Sequence, residues 1–347
     1  MSLENFLKKQ ISQQGPISIA EFMQLALMHP HYGYYQKQQP FGETGDFITA
    51  PEISQMFGEM VGVWVASIWQ QLGCPKDICL LELGPGRGVL MDDVLRATKH
   101  LDGFHESVSV VMVEQSAALQ QKQKERLNPW NINIHWLSTA EKLPRKPTIV
   151  IANEFFDALP IHQFIKTPQG IREKLVGLEN DSLEFVLSSA NANFSYLAHW
   201  QEQIEMNQVI EISPASIHVM EQLAEHIAQM GGAGLFIDYG YEMPAFGDTL
   251  QAVKDHKYHE ILKDIGEADI TAHVNFTALA EAAKFTGCKQ QQVISQKDFL
   301  KNMGIEVRVK ELLKKADAKQ KLSIESSLHR LIGDSEMGNL FKVLMIA

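Results

Sequence analysis

The chain is poor in cysteine. Its three, Cys74, Cys79 and Cys288, include no C-x-x-C pair, so 347 residues offer neither a disulfide framework nor a thiolate zinc site, and we expect no metal. Positive charge is also scarce: 31 Lys and Arg stand against 42 Asp and Glu. A formal charge of −11 disfavours nucleic acid, which needs a basic surface, and suits a basic or neutral partner. No apolar run reaches the length of a membrane span. The opening residues, MSLENFLKKQISQQ, have no signal-peptide core and are not the Arg- and Ser-rich stretch of a transit sequence. These absences lead to the expectation of a cytoplasmic, bacterial protein. Internal repeats and low-complexity segments are missing too. What is present is ample apolar material, 45% of residues, in a length that fits two domains or one large domain with insertions.

The remainder is organised around residues 78–90, ICLLELGPGRGVL. An apolar run interrupted only by Glu82 reads as a buried parallel strand, and it runs into glycines at alternate positions, Gly84, Gly86 and Gly88, around Pro85. Glycines let a ligand approach backbone that a Cβ would shield, and the helix predicted at 89–99 begins with unpaired N–H groups. A dinucleotide fingerprint would need glycine where Val89 stands, which argues against a nicotinamide oxidoreductase. G-x-G-x-G behind an acid is instead the pattern of S-adenosylmethionine (SAM) methyltransferases, whose cofactor carries an amine and a sulfonium that a carboxylate suits. The next apolar run, SVSVVMVEQS (107–116), ends on Glu114 and Gln115, where a ribose offers two hydroxyls to one carboxylate.

Taken in order, Leu3, Phe6, Leu7 and Ile11 predict a short amphipathic helix packed on its own domain. Ser18 and Glu21 predict a capping box for a helix over 15–29 that Pro30 ends, with Ile17 and Phe22 as its hydrophobic staple. The Tyr-, Gly- and Pro-rich stretch 31–54 reads as loop, with Asp46 and Thr49 as candidates to close over the cofactor. A buried helix (57–73) precedes the central strand, and further strands are predicted at 133–139, at 148–160 ending in Asn153, Glu154 and Asp157, and at 235–240. Between 161 and 188 the period shifts to that of an antiparallel meander. A helix starts at Ser213-Pro214, and QQVISQ and LFKVLMIA supply a final, antiparallel pair of strands. The expected fold is α/β, a Rossmann-like doubly wound sheet of seven strands at 76–347, with insertions near 161–210 and 241–275 and an extension over 1–75.

LELGPGRG (81–88), NEFFDALP (153–160), GDFITAPEIS (45–54), IDYG, GDTLQAV and TAHVNF together resemble the MidA-like family over nearly the whole chain. That family includes the mitochondrial methyltransferase needed for assembly of respiratory complex I. The resemblance implies a SAM-dependent protein arginine methyltransferase acting, in mitochondria, on a complex I subunit; a homodimer is also compatible with the apolar helices. The chain departs from HVDF in reading His273-Val274-Asn275-Phe276, and we expect Asn275 to cap the helix that follows.

A guanidinium is a poor nucleophile that two carboxylates can clamp and orient. Glu154 and Asp157 stand where arginine methyltransferases resemble one another in carrying paired glutamates, and they are the expected catalytic acids. His273 is expected to orient a carboxylate or accept a proton, Asn153 to touch cofactor, and Arg87 to pair with Glu82 or a neighbouring acid. Two alternatives stay open: a SAM-binding assembly factor with little turnover, and a small-molecule O- or N-methyltransferase.

Overall fold

The computed structural model describes residues 2–36, 49–192, 203–242 and 245–347. Seven strands carry the fold: β1 (Ile78–Leu83), β2 (Val108–Val113), β3 (Asn133–Leu137), β4 (Thr148–Asn153), β5 (Gly232–Tyr241), β6 (Gln291–Ser295) and β7 (Phe341–Ile346). They lie in the order β6-β7-β5-β4-β1-β2-β3. Only β7 runs against its neighbours, as expected of the final pair. A two-residue strand, Val274–Asn275, extends the sheet beside the end of β5.

Each β1 residue is buried, which fits a strand covered on both faces. One face is covered by the helices Gln55–Gln71, which follows closely the predicted helix, and Val89–Thr98. Pro214–Met230 and Phe276–Phe285 cover the other, through Met220, Leu223, Phe276 and Leu279. Asn275 is the cap expected of it, its Oδ1 accepting from Ala278 N–H at 3.0 Å. Glycine allows the two helices of the first face to approach closely: a Cβ at Gly62 would stand 2.6 Å from the Ala97 Cβ.

Four helices lie between β6 and β7 that the sequence analysis does not predict: Gln296–Asn302, Ile305–Lys315, Ala318–Ile332 and the short Met337–Leu340. They add Phe299, Leu300, Ile305 and Leu331 to the core, and Arg308 makes two 2.8 Å bonds to Glu59 of helix 55–71.

The first two helices, Leu3–Gln14 and Ile19–Met28, bury Leu3, Leu7, Ile11, Phe22 and Met23 against Ile161, Val176, Leu183 and Ile270 of the inserted segments. Ser18 caps the second helix by accepting from Glu21 N–H at 3.1 Å, but the reciprocal half of the expected box is missing. The Glu21 carboxylate instead accepts from Gln10 Nε2 at 2.6 Å. The strands His162–Thr167, Gly170–Glu179 and Ser182–Leu187 form the antiparallel meander, which Ile17–Ser18 and Val209–Ile212 extend to five strands. A three-stranded sheet, Gln251–Lys254, Lys257–His259 and Asp269–Thr271, fills the second insertion.

Filling the helix crossing should be costly. Gly62→Leu is expected to lower the unfolding free energy by about 1–3 kcal/mol, read from the midpoint of urea unfolding, through overpacking against Ala97 and Val94.

Candidate active site

Strands β1 and β4 are neighbours, with Leu83 opposite Ala152, so their carboxyl ends open side by side into one crevice. This is where the sheet's connections diverge to left and right, the usual ligand position in such folds. After β1, Gly84, Gly86 and Gly88 have φ of 59°, 50° and 75°, the left-handed region that explains their glycine identity. Gly88 then stands as N-cap of helix 89–98. Gln123, fully buried, steadies the loop: its Nε2 donates to Gly86 O at 2.8 Å, and its Oε1 accepts from Trp136 Nε1 at 2.8 Å.

A cavity of about 50 Å³ lies against this loop, lined by Gly84, Pro85 and Gly86 together with Thr49, Glu52, Glu82, Asn153 and Glu154. Glu82 is 3% exposed and its Oε2 has no partner among the described residues. Burial pushes its carboxyl up to about 8. An acid in that state is ready for a cation.

A second cavity, about 470 Å³, continues from Gly84 and Gly86 past Glu114, Gln115 and Ser116. Its far walls are Met28 and Tyr35 from the N-terminal segment and Ala215 and His218 from helix 214–230. Glu114 Oε1 accepts from Ser116 N–H at 2.8 Å, and burial raises its carboxyl above the usual value.

Glu154 meets both cavities. It follows β4 with φ of 51°, unusual for a residue with a Cβ, while its N–H continues the ladder to Ile237 O at 2.9 Å. Its Oε1 accepts from Ala50 N–H at 3.1 Å and Asn153 Nδ2 at 3.0 Å. Burial, then the nearby charge of Asp157, pushes the carboxyl to about 7.

Asp157 is placed elsewhere. It is 7% exposed, its Oδ2 accepts from the Tyr239 hydroxyl at 2.6 Å, and it is not among the residues lining either cavity. Asp238 anchors the same turn, Oδ2 accepting from the N–H groups of Phe155, Phe156 and Asp157 at 3.1, 3.0 and 3.2 Å. Burial, with Asp157 and Glu154 near, raises the Asp238 carboxyl well above its usual value. His273 stands beyond these acids, its ring edge-on to Tyr239 at 5.4 Å, and faces a different cavity of about 380 Å³. Burial lowers its pKa.

The structure thus brings Glu82, Gly84, Pro85, Gly86, Asn153, Glu154 and Thr49 to one small cavity and Glu114 and Gln115 to the adjoining one. Gly88 caps the following helix. Asp46 lies outside the described residues. Sequence reading missed Glu52, which receives Arg87 Nε at 2.8 Å and its Nη2 at 2.7 Å, and it missed the anchoring role of Asp238. Arg87 pairs with Glu52 and not with Glu82, the acid named first for it; an Asp followed by Tyr at a strand's end was the available signal for Asp238.

The cradle fits an S-adenosyl cofactor on its own chemistry: an unpartnered buried carboxylate oxygen beside a glycine loop, and an acid at the end of β2. A family model described as "Putative S-adenosyl-L-methionine-dependent methyltransferase" matches residues 60–294. The chain belongs to this family of SAM-dependent methyltransferases. It is 37% identical to the "Protein arginine methyltransferase NDUFAF7, mitochondrial" of Xenopus laevis, over 99% of this chain and 84% of that one. Against the human protein of the same name it is 38% identical over 90% and 75%. A Burkholderia thailandensis protein crystallised with S-adenosylhomocysteine superposes with a TM-score of 0.89 at 28% identity, over 99% of this chain and 91% of that one. Among the described residues no helix is long and apolar enough to cross a membrane.

Glu82 supplies a test with a definite sign. A glutamate raised from 4.5 to about 8 on folding stabilises the protein fully only below 4.5, and that contribution is lost as pH rises through about 8. Glu82→Gln should therefore raise the melting temperature of the ligand-free protein more at pH 8 than at pH 5, by about 2 °C or more at pH 8, in calorimetric scans. The same variant should bind S-adenosylhomocysteine less tightly.

Proposed function

We propose that the chain is a protein arginine N-methyltransferase, with Glu154 as the residue that receives the guanidinium. The observation that carries this reading is Glu154 itself: a carboxyl group at the junction of the two cavities, its Oε1 fixed by Ala50 N–H and Asn153 Nδ2. The names of the curated relatives support it from outside the structure.

Glu82 and the glycine loop would hold the amino-acid end of SAM, Glu114 and Gln115 the nucleoside. Bound there, the cofactor supplies a methyl group on a sulfonium, whose C–S bond breaks as a C–N bond forms. The chain's part is to place the acceptor in line and make it nucleophilic. An arriving guanidinium draws Glu154 to its charged form, and N–H···O bonds to the carboxylate then restrict rotation about the acceptor C–N bonds. The methylated nitrogen must shed a proton, which the Glu154 carboxylate is placed to take on and pass to water. Asp157 acts on this reading as a positioning residue, holding Tyr239 beneath the turn rather than touching the acceptor. His273 has the same indirect relation to the site through Tyr239.

The acceptor on this reading is a protein with an accessible arginine, and a subunit of the complex I type is the finer candidate, methylated in the cytoplasm by one or two copies of this chain. Labelled SAM and whole-cell protein test the class: label should appear in methylarginine after hydrolysis. Glu154→Gln should cut kcat by about 10²-fold or more while leaving the S-adenosylhomocysteine Kd within threefold of wild type. Label confined to low-mass products, or unchanged kcat in the variant, would refute the reading.

A further inference from the structure

Three buried acceptor atoms that find no partner among the described residues, Glu82 Oε2, Glu52 Oε2 and Asn153 Oδ1, belong to side chains that line the 50 Å³ cavity. Leaving any one of them unbonded is costly, and a single donor group in this space could satisfy all three. A cavity of this size has room for only a few non-hydrogen atoms. The group that fits is one with three donors, no acceptor and positive charge, which describes a primary ammonium.

Glu52 is the unexpected member. It comes from the short helix Ala50–Ile53, ahead of the methyltransferase sheet, and its side chain is 8% exposed. Arg87 of the glycine loop binds Glu52 by Oε1 alone, through Nε at 2.8 Å and Nη2 at 2.7 Å. That ion pair compensates the buried charge, fixes the carboxylate plane and leaves Oε2 free. The neighbouring N–H of Ala50 is bound by Glu154 Oε1 at 3.1 Å, so the helix carrying Glu52 is fastened to both strand ends that bound the crevice.

We propose that Glu52 is a second carboxylate of the cofactor's amino-acid subsite, its Oε2 joining Glu82 Oε2 and Asn153 Oδ1 around the cofactor's primary ammonium. This rests on the SAM-dependent reading of the site and extends it. Occupancy of the small cavity then ties residues 50–53 to the glycine loop, and a segment outside the sheet becomes part of cofactor recognition. Glu52 selects for ligands that carry the ammonium and is indifferent to adenosine.

The test compares S-adenosylhomocysteine with methylthioadenosine, which keeps the nucleoside and thioether but lacks the amino-acid end. Titration calorimetry on wild type and Glu52→Gln should show S-adenosylhomocysteine weakened tenfold or more and methylthioadenosine changed by less than twofold. Glutamine places an N–H₂ where an acceptor is required. Equal weakening of both ligands, or of neither, overturns the proposal. Failure of wild type to bind S-adenosylhomocysteine at all overturns the cofactor reading beneath it, and the two failures are distinct. Should Glu52→Gln not fold, as judged by its melting curve, Glu52→Asp gives the same comparison, since the shortened carboxylate keeps its charge but withdraws from the cavity.

Discussion

One carboxylate, Asp238, accepts hydrogen bonds from three consecutive backbone N–H groups, and the shape of the cleft depends on it. Residues 155–157 leave the end of β4 with donors that have no strand to pair with, and Asp238 at the end of β5 collects all three. Its other oxygen accepts from Tyr239 N–H at 2.9 Å. With both strand and turn thus fixed, Glu154 is held at a φ of 51° that costs a residue with a Cβ of order 1–3 kcal/mol. The strain is tolerated because the Glu154 N–H to Ile237 O bond on one side and Asp238 on the other determine the backbone independently. A relaxed β conformation at Glu154 would carry its carboxyl away from the junction of the cavities.

The second constraint is electrostatic. Glu52, Glu82 and Glu154 line a space of about 50 Å³ in which, among the described residues, Arg87 is the sole cationic side chain. Burial raises the Glu82 carboxyl to about 8 and, with the charge of Asp157 beside it, the Glu154 carboxyl to about 7, while Glu52 is paired with Arg87. That arrangement is poor for stability and good for binding. Each cationic group that enters, whether ammonium, sulfonium or guanidinium, relieves part of the desolvation cost that folding imposed.

The sequence made much of this legible because the features that define the sheet are local. A fully apolar strand, alternate glycines and an acid ending the next strand each announce themselves within about ten residues, and so does the cap at Asn275. Glu52 could not be read in that way. Its partner Arg87 is 35 residues distant, and neither residue type is unusual in its own segment. Asp157 stands in a motif that suggests chemistry, yet spacing alone cannot tell whether a carboxylate points into a cleft or down onto a tyrosine from β5. The helices between β6 and β7 were legible by the same local signal: in helix 318–332, Ile324, Leu328, Leu331 and Ile332 fall at helical spacing on the face that packs on the core.

The extension and insertions are more than decoration on a methyltransferase sheet. Helix 19–28 rests on the inserted strands through Phe22 and Met23, and its last residue, Met28, forms part of the larger cavity's wall. Tyr35, on the same wall, donates its hydroxyl to Asp269 of the second insertion at 3.2 Å. The wall opposite Glu114 is therefore set by elements far apart in the chain that reach the cleft only after packing on one another. The glycine loop and the ends of β1, β2 and β4 belong to one sheet, whereas this wall depends on packing between the extension and the insertions, so a change in how helix 19–28 sits on the inserted sheet will be felt at the wall before it is felt at the glycine loop.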